Sequence, residues 1–462
     1  SIVSRIGKAG SGMLHPAASQ SKCNSECSIG GSGGVQAGKQ QRENIDTFGF
    51  ILYNKSIGWN AVRRRKIDVS HATCDKEAFS LNILMTGARG FMGKNLCAAL
   101  TGRYGDEHRL MLVDMPHTEE QLRAAAAEAD FVFHLAGVNR PTDPADFQKG
   151  NADFTQHLLE LLKENGKRPP VLLSSSIQAA LENPYGQSKR NAEQAVADYA
   201  QETGATVYRY RLPNVFGKWS RPNYNSAVAT FCHNVARGLP ITVNDPSVTL
   251  RLVYIDDVVE EFLRAMEGQP HREGEWCAVQ PVHEVKLGRM AELIQSFPAL
   301  RDSLTAPDQS DPLVKKLYAT YLSFLPPEDF SRPTVTHADQ RGSFTELLHM
   351  GSRGQVSLNV SKPHITKGDH WHQTKHEKFI VLQGEGVIRF RKVGDSTVIA
   401  YKVSGENLTV VDIPTGYTHS IENTGDTDML TLMWANEVFD PAHPDTLRLP
   451  VLENAAEAKE KA

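Results

Sequence analysis

Residues 81–93 have the sequence LNILMTGARGFMG, in which a short apolar run leads directly into glycines at positions 87, 90 and 93. The run predicts a β-strand, and the residues up to Leu100 predict a helix that begins inside the glycine loop. Glycine permits the tight turn and the close approach of a pyrophosphate, and the start of the helix offers free N–H groups to it. The segment therefore predicts a dinucleotide-binding loop between a strand and a helix.

Two side chains near this loop bear on which nicotinamide cofactor it would hold. Asp114 ends the next predicted strand, where a carboxylate usually binds the ribose hydroxyls of NAD. Arg89 could instead bind the additional phosphate of NADP, or it could be a solvated charge on the loop. The residues alone leave NADH and NADPH open. The residues predicted to contact the cofactor are Gly87, Arg89, Gly90, Phe91, Met92, Gly93, Asp114, Leu135, Ala136, Gly137, Tyr185 and Lys189.

Tyr185 and Lys189 are four residues apart, so a helix places both side chains on one face. A lysine ammonium beside a phenol lowers the pKa of the phenol towards the working range. Tyr185 could then exchange a proton with a carbonyl oxygen during hydride transfer, and Ser176 could donate a hydrogen bond to that oxygen. Such a pair alone is common on amphipathic helices, but its position after the glycine loop predicts Ser176, Tyr185 and Lys189 as catalytic residues.

A second set of residues has the spacing of a metal site. His370 and His372 alternate along a predicted strand and so face the same way, and Glu377 follows shortly after them. His419 follows a Pro-x-Gly turn. Three imidazoles and one carboxylate suit Zn²⁺, Fe²⁺, Mn²⁺ or Ni²⁺, so we predict His370, His372, Glu377 and His419 as metal ligands. The alternative is a metal-free barrel whose histidines are satisfied by other partners.

The pattern of predicted strands and helices divides the chain into two folded parts. Strands alternate with helices at first, with strands predicted at residues 81–86, 110–114, 131–135 and 171–174, which indicates a doubly wound parallel α/β sheet. Beyond a proline-rich joint at residues 325–333, short strands separated by turns indicate an antiparallel sandwich or barrel. These strands are predicted at residues 355–360, 379–383, 387–390, 408–413 and 429–435.

We therefore predict an α/β domain at residues 81–326 and a β-barrel domain at residues 333–451. Residues 1–80 are rich in Ser and Gly and are expected to be a disordered or non-native extension. Residues 452–462 are expected to be a flexible tail.

Composition excludes some classes of function. The formal net charge of −4 gives no basic excess for non-specific nucleic-acid binding. No stretch approaches the roughly 18 uninterrupted apolar residues of a membrane helix, so no membrane partner is expected. The six cysteines are widely spread, and Cys23 and Cys27 lack the C-x-x-C spacing of zinc knuckles. Free thiols of this kind indicate a reducing, cytoplasmic location.

The first part resembles the extended short-chain dehydrogenase/reductases that act on nucleotide sugars. The glycine loop, the Ser174–Ser176 run, Tyr185-x-x-x-Lys189 and residues 211–217 carry this resemblance. Dehydratases of that family have an acidic pair directly after the catalytic hydroxyl, whereas this chain has Ile177 and Gln178 there, so dehydration is disfavoured. The second part is similar to the cupins, because both cupin motifs are nearly complete and in order.

Together, residues 81–451 resemble the bifunctional enzymes of capsular polysaccharide synthesis in the UDP-N-acetyl-L-fucosamine pathway. Residues 174–179, 222–226, 370–372 and 413–419 carry the match. The resemblance implies a Rossmann-type reductase fused to a cupin jelly-roll barrel, with NADPH, Zn²⁺, a UDP-sugar substrate and a homodimer. It also implies that the cupin epimerises a UDP-4-keto-6-deoxy-hexosamine beside the ketone. The reductase would then produce UDP-2-acetamido-2,6-dideoxy-L-talose, the precursor of UDP-N-acetyl-L-fucosamine.

Two other functions stay open at this point. The chain could be an NAD-dependent nucleotide-sugar 4-epimerase or reductase with a purely structural cupin, or a protein that senses NADP or sugar without turnover. A pure binding role does not need the trio of Ser176, Tyr185 and Lys189, which argues against the second alternative. The general base of the barrel is also open among Tyr417, Lys375 and His376.

Overall fold

The computed structural model describes residues 80–452. The expectations for residues 1–79 and for the tail from residue 453 onward, including Cys23 and Cys27, lie outside the described residues. Within the described residues, no helix combines the length and the apolar content that a bilayer crossing requires.

Over the range that the structure describes, the first half contains ten strands and nine α-helices. The strands are β1 (Asn82–Thr86), β2 (Arg109–Val113), β3 (Phe131–His134), β4 (Val171–Ser176), β5 (Val207–Leu212), β6 (Asn214–Phe216), β7 (Thr249–Tyr254), β8 (Arg272–Glu273), β9 (Trp276–Cys277) and β10 (His283–Lys286). The helices are α1 (Phe91–Tyr104), α2 (Glu119–Glu128), α3 (Ala145–Phe147), α4 (Phe154–Glu164), α5 (Pro184–Thr203), α6 (Ala227–Val235), α7 (Ile255–Met266), α8 (Leu287–Asp302) and α9 (Pro312–Leu322).

Seven of these strands form one sheet in the order β2-β1-β3-β4-β5-β9-β8, which is parallel except for the pair β8 and β9 at one edge. Successive residues of β1 pack on opposite faces, because side chains alternate along a strand. Ile83 packs with residues of α1 and α7, whereas Leu84 packs with residues of α2, α4 and α5. Helices therefore cover both faces, which is the predicted doubly wound arrangement.

A smaller three-stranded sheet, β10-β7-β6, lies outside this main sheet. It packs with α6, α8 and α9 around a separate apolar core that includes Phe216, Ile294 and Leu317.

The second half is all-β, with two antiparallel sheets whose orders are β11-β12-β13-β20-β15-β18 and β17-β16-β19-β14-β21. Phe379 of the first sheet and Ile388, Phe390 and Ile421 of the second share one buried core. The strands are β11 (Thr336–Asp339), β12 (Gly342–His349), β13 (Gln355–Ser361), β14 (Thr366–Trp371), β15 (Glu377–Gln383), β16 (Glu385–Lys392), β17 (Val398–Ser404), β18 (Val410–Ile413), β19 (Tyr417–Asn423), β20 (Met429–Ala435) and β21 (Leu447–Arg448).

The predicted fold class is confirmed: a doubly wound α/β part precedes an antiparallel part consistent with a cupin barrel. The boundaries of the predicted strands differ from the observed ones by at most two residues. One local difference between prediction and structure concerns the predicted metal ligands. β14 has a bulge between Gly368 and His370, and the strand ends at Trp371, so His372 lies just beyond it rather than within it.

Gly93 tests how closely α1 approaches the glycine loop. A Cβ at this position would lie 2.3 Å from the Gly87 carbonyl oxygen and 2.6 Å from Ala88 Cα. Because these are backbone atoms, we expect Gly93→Ala to lower the free energy of unfolding by about 1–3 kcal/mol in urea denaturation.

Gly102 provides the control on the same helix, since nothing lies within 4 Å of its Cβ position. We expect Gly102→Ala to be neutral or to stabilise by about 0.5–1 kcal/mol. Equal unfolding midpoints for the two variants would contradict the packing described for Gly93.

Candidate active site and metal centre

The glycine loop packs against the segment that follows β3. Gly87 has φ +77°, and a Cβ there would lie 2.7 Å from the Ala136 backbone nitrogen. Leu135 N donates to Thr86 O at 3.1 Å. Two separate stretches predicted to contact the cofactor, Gly87–Gly93 and Leu135–Gly137, are therefore neighbours at the carboxyl edge of the parallel sheet, where dinucleotides bind in such folds.

Asp114 is tied to the glycine loop by its carboxylate. Its Oδ2 accepts a hydrogen bond from the Arg89 backbone nitrogen at 2.8 Å. Both residues line an open cavity of about 1180 Å³, together with Lys94 and Trp219. Phe91 and Met92 begin α1 and pack, half-buried, against the core under the sheet. The cavity thus contains both a carboxylate that can accept from ribose hydroxyls and cations that can bind a phosphate.

Tyr185 and Lys189 occupy the first turns of α5, whose start is capped by Asn183. Asn183 Oδ1 accepts from the Gly186 nitrogen at 2.7 Å, and Pro184 occupies the first turn. The Lys189 ammonium nitrogen lies 5.8 Å from the centre of the Tyr185 ring, and only 7% of Lys189 is exposed. The helix therefore brings the two residues together on one face, as their spacing predicts.

Burial shifts the acidity of both groups. It lowers the pKa of Lys189 to about 8, with the Glu193 carboxylate opposing that shift. Burial raises the pKa of Tyr185, whereas the sequence predicts that Lys189 lowers it, and the neighbouring Ser176 hydroxyl opposes that rise. The Tyr185 hydroxyl donates to Asn139 Oδ1 at 2.9 Å. At neutral pH the site accordingly contains a protonated phenol beside a protonated amine, which is the state that donates a proton.

The structure distinguishes the predicted catalytic residue Ser176 from its neighbour Ser175 at the end of β4. Ser175 Oγ donates to Glu193 Oε1 at 2.5 Å, and the same buried carboxylate accepts two hydrogen bonds from Arg211. Ser175 is therefore hydrogen-bonded to the ion pair between Glu193 of α5 and Arg211 of β5. Ser176 Oγ accepts a turn hydrogen bond from the Gln178 nitrogen at 3.2 Å, and its hydroxyl lies close enough to the Tyr185 phenol to influence the pKa of that phenol.

Two asparagines near this trio were not predicted. Asn139 accepts the hydrogen bond from Tyr185, and it lies two residues beyond the predicted stretch Leu135–Gly137. Asn151 is buried in a π-helical segment, where its side chain exchanges hydrogen bonds with the backbone of Val138 and donates to Ser188 on α5. Asn151 thereby fixes the loop to the catalytic helix. Local spacing gave no signal for it, because its partners are remote in the chain.

The four predicted metal ligands converge inside the barrel. One ligand atom from each of His370, His372, Glu377 and His419 lies within 4.8 Å of the others. His419 comes from β19, paired directly with His370 of β14, and Glu377 begins β15. Both ring nitrogens of His419 are buried and make no hydrogen bond. An orphaned buried imidazole among two others and a carboxylate fits a divalent transition metal.

The protonation of this cluster also suits a cation. Burial, reinforced by the neighbouring histidines, lowers the pKa of His370 to about 4. Burial alone would raise the pKa of Glu377, but the adjacent rings of His372 and His419 and the nearby Lys375 hold that pKa well below its usual range. His370 is therefore neutral and Glu377 ionised, which are the forms in which these side chains bind metals.

The cluster opens into a cavity of about 320 Å³ within the barrel. His370, Glu377 and His419 line it, and the other titratable residues in its wall are Lys367, Lys375 and Glu437. Lys375 Nζ lies 3.1 Å from Glu377 Oε1, and Lys367 Nζ donates to Asn359 Oδ1 and Val360 O, both at 2.8 Å. Of the three bases considered from the sequence, Lys375 lines the cavity and Tyr417 does not, whereas His376 is exposed with its ring edge-on to Trp434.

Comparisons with known proteins agree with this pair of sites. Residues 83–275 match the NAD dependent epimerase/dehydratase family, and residues 337–447 match the polysaccharide biosynthesis C-terminal domain. A UDP-2-acetamido-2,6-beta-L-arabino-hexul-4-ose reductase from Pseudomonas aeruginosa is 44% identical over 379 residues, which are 81% of this chain and 100% of the relative. The chain belongs to this reductase family.

Solved structures support the same family. Capsular polysaccharide assembling protein CapF from Staphylococcus aureus is 53% identical, with a TM-score of 0.76 over 80% of this chain and 100% of that one. A second crystal form of the Staphylococcus aureus protein gives 48% identity and a TM-score of 0.71 over the same shares. A member of this reductase family is an enzyme that uses a nicotinamide cofactor. The glycine loop and the helix that carries Tyr185 are the elements predicted to contact that cofactor.

The two serines yield a paired test. Because Ser176 faces the phenol, Ser176→Ala is expected to lower kcat for ketone reduction by roughly 10²–10³-fold without changing stability. Ser175→Ala is expected to cost roughly 1–3 kcal/mol of folding free energy, with kcat nearly unchanged. Steady-state NADPH oxidation and urea denaturation measure the two effects, and a larger kcat loss in the Ser175 variant would reverse the assignment.

Proposed function

We propose that this chain carries out two successive reactions on a UDP-4-keto-6-deoxy-hexosamine. The barrel inverts a carbon beside the ketone, and the α/β part then reduces the ketone with NADPH to give UDP-2-acetamido-2,6-dideoxy-L-talose. The observation that carries the proposal is the co-occurrence in one chain of a Ser-Tyr-Lys trio and a buried three-histidine, one-carboxylate cluster. The name of the Pseudomonas relative, a reductase of a 4-ulose nucleotide sugar, supports the substrate class.

In the reductive step, Tyr185 donates its proton to the ketone oxygen while Ser176 donates a hydrogen bond to the same atom. Bound NADPH would supply the hydride. Lys189 is buried beside the phenol, so its positive charge stabilises the phenolate left after proton transfer. Asn139, which accepts from the phenol here, would exchange that hydrogen bond for one with the incoming substrate.

In the epimerising step, a base removes the hydrogen next to the ketone and an acid returns a proton to the opposite face. His370, His372, Glu377 and His419 would hold a divalent metal, Zn²⁺ in our proposal, which would stabilise negative charge on the ketone oxygen. The side chains that line the cavity and can move a proton are Lys367, Lys375 and Glu437. Lys367 has its pKa lowered by burial, which suits a lysine to accept a proton.

The order of the two steps follows from carbonyl chemistry. A hydrogen next to a ketone is acidic because the resulting negative charge is shared with the oxygen. Reduction removes the ketone and with it that acidity, so inversion has to precede reduction.

For the cofactor, we propose NADPH over NADH. Arg89 and Lys94 line the cavity beside the glycine loop, and neither takes part in an ion pair within the described part of the chain. Unpaired cations at this position suit the additional phosphate of NADP. Asp114 is already engaged by the Arg89 backbone nitrogen, which reduces its availability to a ribose hydroxyl.

For the substrate, a cationic pair lies near the catalytic phenol. The guanidinium carbons of Arg221 and Arg140 lie 4.9 Å and 6.0 Å from the centre of the Tyr224 ring, and Tyr224 is close enough to influence the pKa of Tyr185. Neither arginine has an ion-pair partner among residues 80–452. Such a pair could bind the diphosphate of a UDP-sugar, with residues 222–226 alongside it.

For the assembly, we propose a homodimer. Val398, Ile399 and Tyr401 on the edge strand β17 are all exposed, on both faces of the strand. An uncovered apolar edge strand is a favourable surface for pairing with another chain.

The competing function is a reductase whose metal is only structural. The orphaned nitrogens of His419 fit either role, but Lys367 and Lys375 in the same cavity favour acid–base chemistry there. Hydrogen exchange separates the two readings, since only an epimerising barrel labels the carbon beside the ketone.

The central experiment is incubation of the protein with a UDP-4-keto-6-deoxy-hexosamine in heavy water, first without and then with NADPH. We expect deuterium beside the ketone without NADPH, then loss of absorbance at the nicotinamide band once NADPH is added. Tyr185→Phe should keep the exchange and lose the reduction, because it lacks the proton donor. His419→Asn should lose the exchange, because it removes a ligand from the cluster.

His376→Asn is the matched control, since His376 is exposed outside the cluster and should leave the exchange intact. NADPH oxidation of the same substrate without any deuterium incorporation would favour the structural-metal alternative. Retained exchange in the His419 variant would remove the cluster from the mechanism.

The pH dependence of reduction tests the lysine. Lys189 has a pKa lowered to about 8, so its charged form is present below that pH and is lost above it. We expect kcat/KM for NADPH-dependent reduction to be level below pH 8 and to fall about tenfold per pH unit well above it, as one proton is lost. In Lys189→Arg, which stays charged, the residual activity should not show this inflection, and a level profile to high pH in the parent protein would contradict the assignment.

A further inference from the structure

The segment of residues 445–451, called here the carboxyl-terminal strap, crosses the end of the barrel where the metal cluster lies. Its strand β21 pairs with β14, with Arg448 opposite His370 and Leu447 opposite Trp371. The strap continues through a hydrogen bond from the Leu449 nitrogen to Asp369 O at 3.0 Å. The strap is therefore joined to the strand that presents the first ligand.

Arg391 fixes the far end of the strap. Its Nε donates to Val451 O at 2.9 Å and its Nη2 donates to Pro450 O at 2.6 Å. The Val451 nitrogen in turn donates to Asp369 Oδ1 at 3.0 Å. Thr446, between Asp445 and β21, lines the same cavity as the cluster. The strap thus has little freedom to move relative to the cavity wall.

Asp445 contacts the metal loop with both its side chain and its backbone. Its carboxylate accepts from the backbone nitrogens of Gln373, Thr374 and Lys375 at 2.9, 2.7 and 2.8 Å, and from the Thr374 hydroxyl at 3.0 Å. Its carbonyl oxygen is the hydrogen-bond partner of His372 Nδ1. One residue therefore ties down the loop that separates two ligands, His372 and Glu377.

These contacts have a direct consequence for ligand geometry. A carbonyl oxygen can only accept, so Nδ1 of His372 donates to Asp445, which leaves Nε2 as the ring nitrogen that faces the cluster, 3.3 Å from Glu377 Oε2. Three N–H groups pointing to one carboxylate also hold the loop in a single conformation. Partners of this kind orient the ligating side chains and commonly change metal affinity by roughly 10–100-fold.

We propose that Asp445 is a positioning residue of the metal centre, which holds His372 in its ligating tautomer and sets the loop between His372 and Glu377. This inference rests on the proposed function in so far as the cluster binds a divalent metal. It assigns to the strap a role in metal binding, rather than only in holding the barrel together. A merely structural latch would change stability and leave metal affinity alone, and this difference can be measured.

The test uses the full chain, stripped of metal and titrated with Zn²⁺ against a chromophoric chelator. Asp445→Ala is expected to weaken Zn²⁺ binding by about 10–100-fold. Asp445→Asn keeps one acceptor oxygen and should fall between the parent and the alanine variant. Titration with Co²⁺ adds a spectroscopic readout, in which a disturbed His372 should weaken and shift the visible bands.

Asp440→Asn is the matched control, because Asp440 caps the Ala442 nitrogen in the preceding turn and does not contact the metal loop. It should bind Zn²⁺ like the parent. NADPH binding by each variant reports that the rest of the chain is folded, and if the alanine variant does not fold, the asparagine variant decides.

Equal Zn²⁺ affinity and unchanged Co²⁺ spectra in the parent and the Asp445 variants would overturn the positioning role alone. A parent protein that binds no metal would overturn the metal centre of the proposed function, and the positioning role with it. Metal binding in the parent without deuterium exchange would reject the epimerase reaction and leave the positioning role standing on the affinity data.

Discussion

Desolvation of a few polar groups is the constraint on which both sites depend. Lys189 is held almost completely out of water beside Tyr185, and the ring nitrogens of His419 are buried with no partner. Each arrangement is costly in a folded protein, where buried polar groups are nearly always paired. The same desolvation brings the lysine into the titration range of the working pH and leaves imidazole lone pairs for a cation. Stability is lost at the positions where chemistry is gained.

The surrounding structure makes this cost tolerable by fixing the residues that neighbour these buried groups. In the α/β part, Glu193 of α5 accepts hydrogen bonds from Ser175 and Arg211, and Asn151 joins the same helix to the loop after β3. In the barrel, Asp445 does the equivalent for the loop after His372. Each of these supports makes several hydrogen bonds, so it holds its neighbours in place beside the unpartnered ring nitrogens and the buried amine.

Much of the fold and most of the candidate site could be predicted because their signals are local. Glycine spacing at Gly87–Gly93 marks a strand-to-helix turn, and the four-residue step from Tyr185 to Lys189 places both on one helical face. The period of two in His370-x-His372 similarly brings the two imidazoles together, although the bulge in β14 and the end of the strand at Trp371 could not be foreseen. Turns and alternating apolar residues also predicted the antiparallel sandwich or barrel of the second half.

The supporting residues could not be predicted, since their partners are distant in the chain. His372 and Asp445 are 73 residues apart, and an aspartate in a polar carboxyl-terminal stretch has no sequence feature that distinguishes it from a surface turn. Asn151 lies in a π-helical segment, whose geometry is set by packing and not by residue preference. Choosing among Tyr417, Lys375 and His376 likewise needed the barrel interior, because which side chains line a cavity depends on how the two sheets are packed.

In the proposed function, the use of two sites for one ketone follows from what each step requires of the ketone oxygen. Proton abstraction from the adjacent carbon needs negative charge on the oxygen to be stabilised and then returned, so the oxygen should not be protonated irreversibly. Reduction needs the opposite, because hydride addition would be completed by a proton from Tyr185 to the oxygen. A small cavity with a metal-type cluster and lysines serves the first need, and an open cofactor cleft with a poised phenol serves the second. Separate placement allows each pKa to be set without compromising the other.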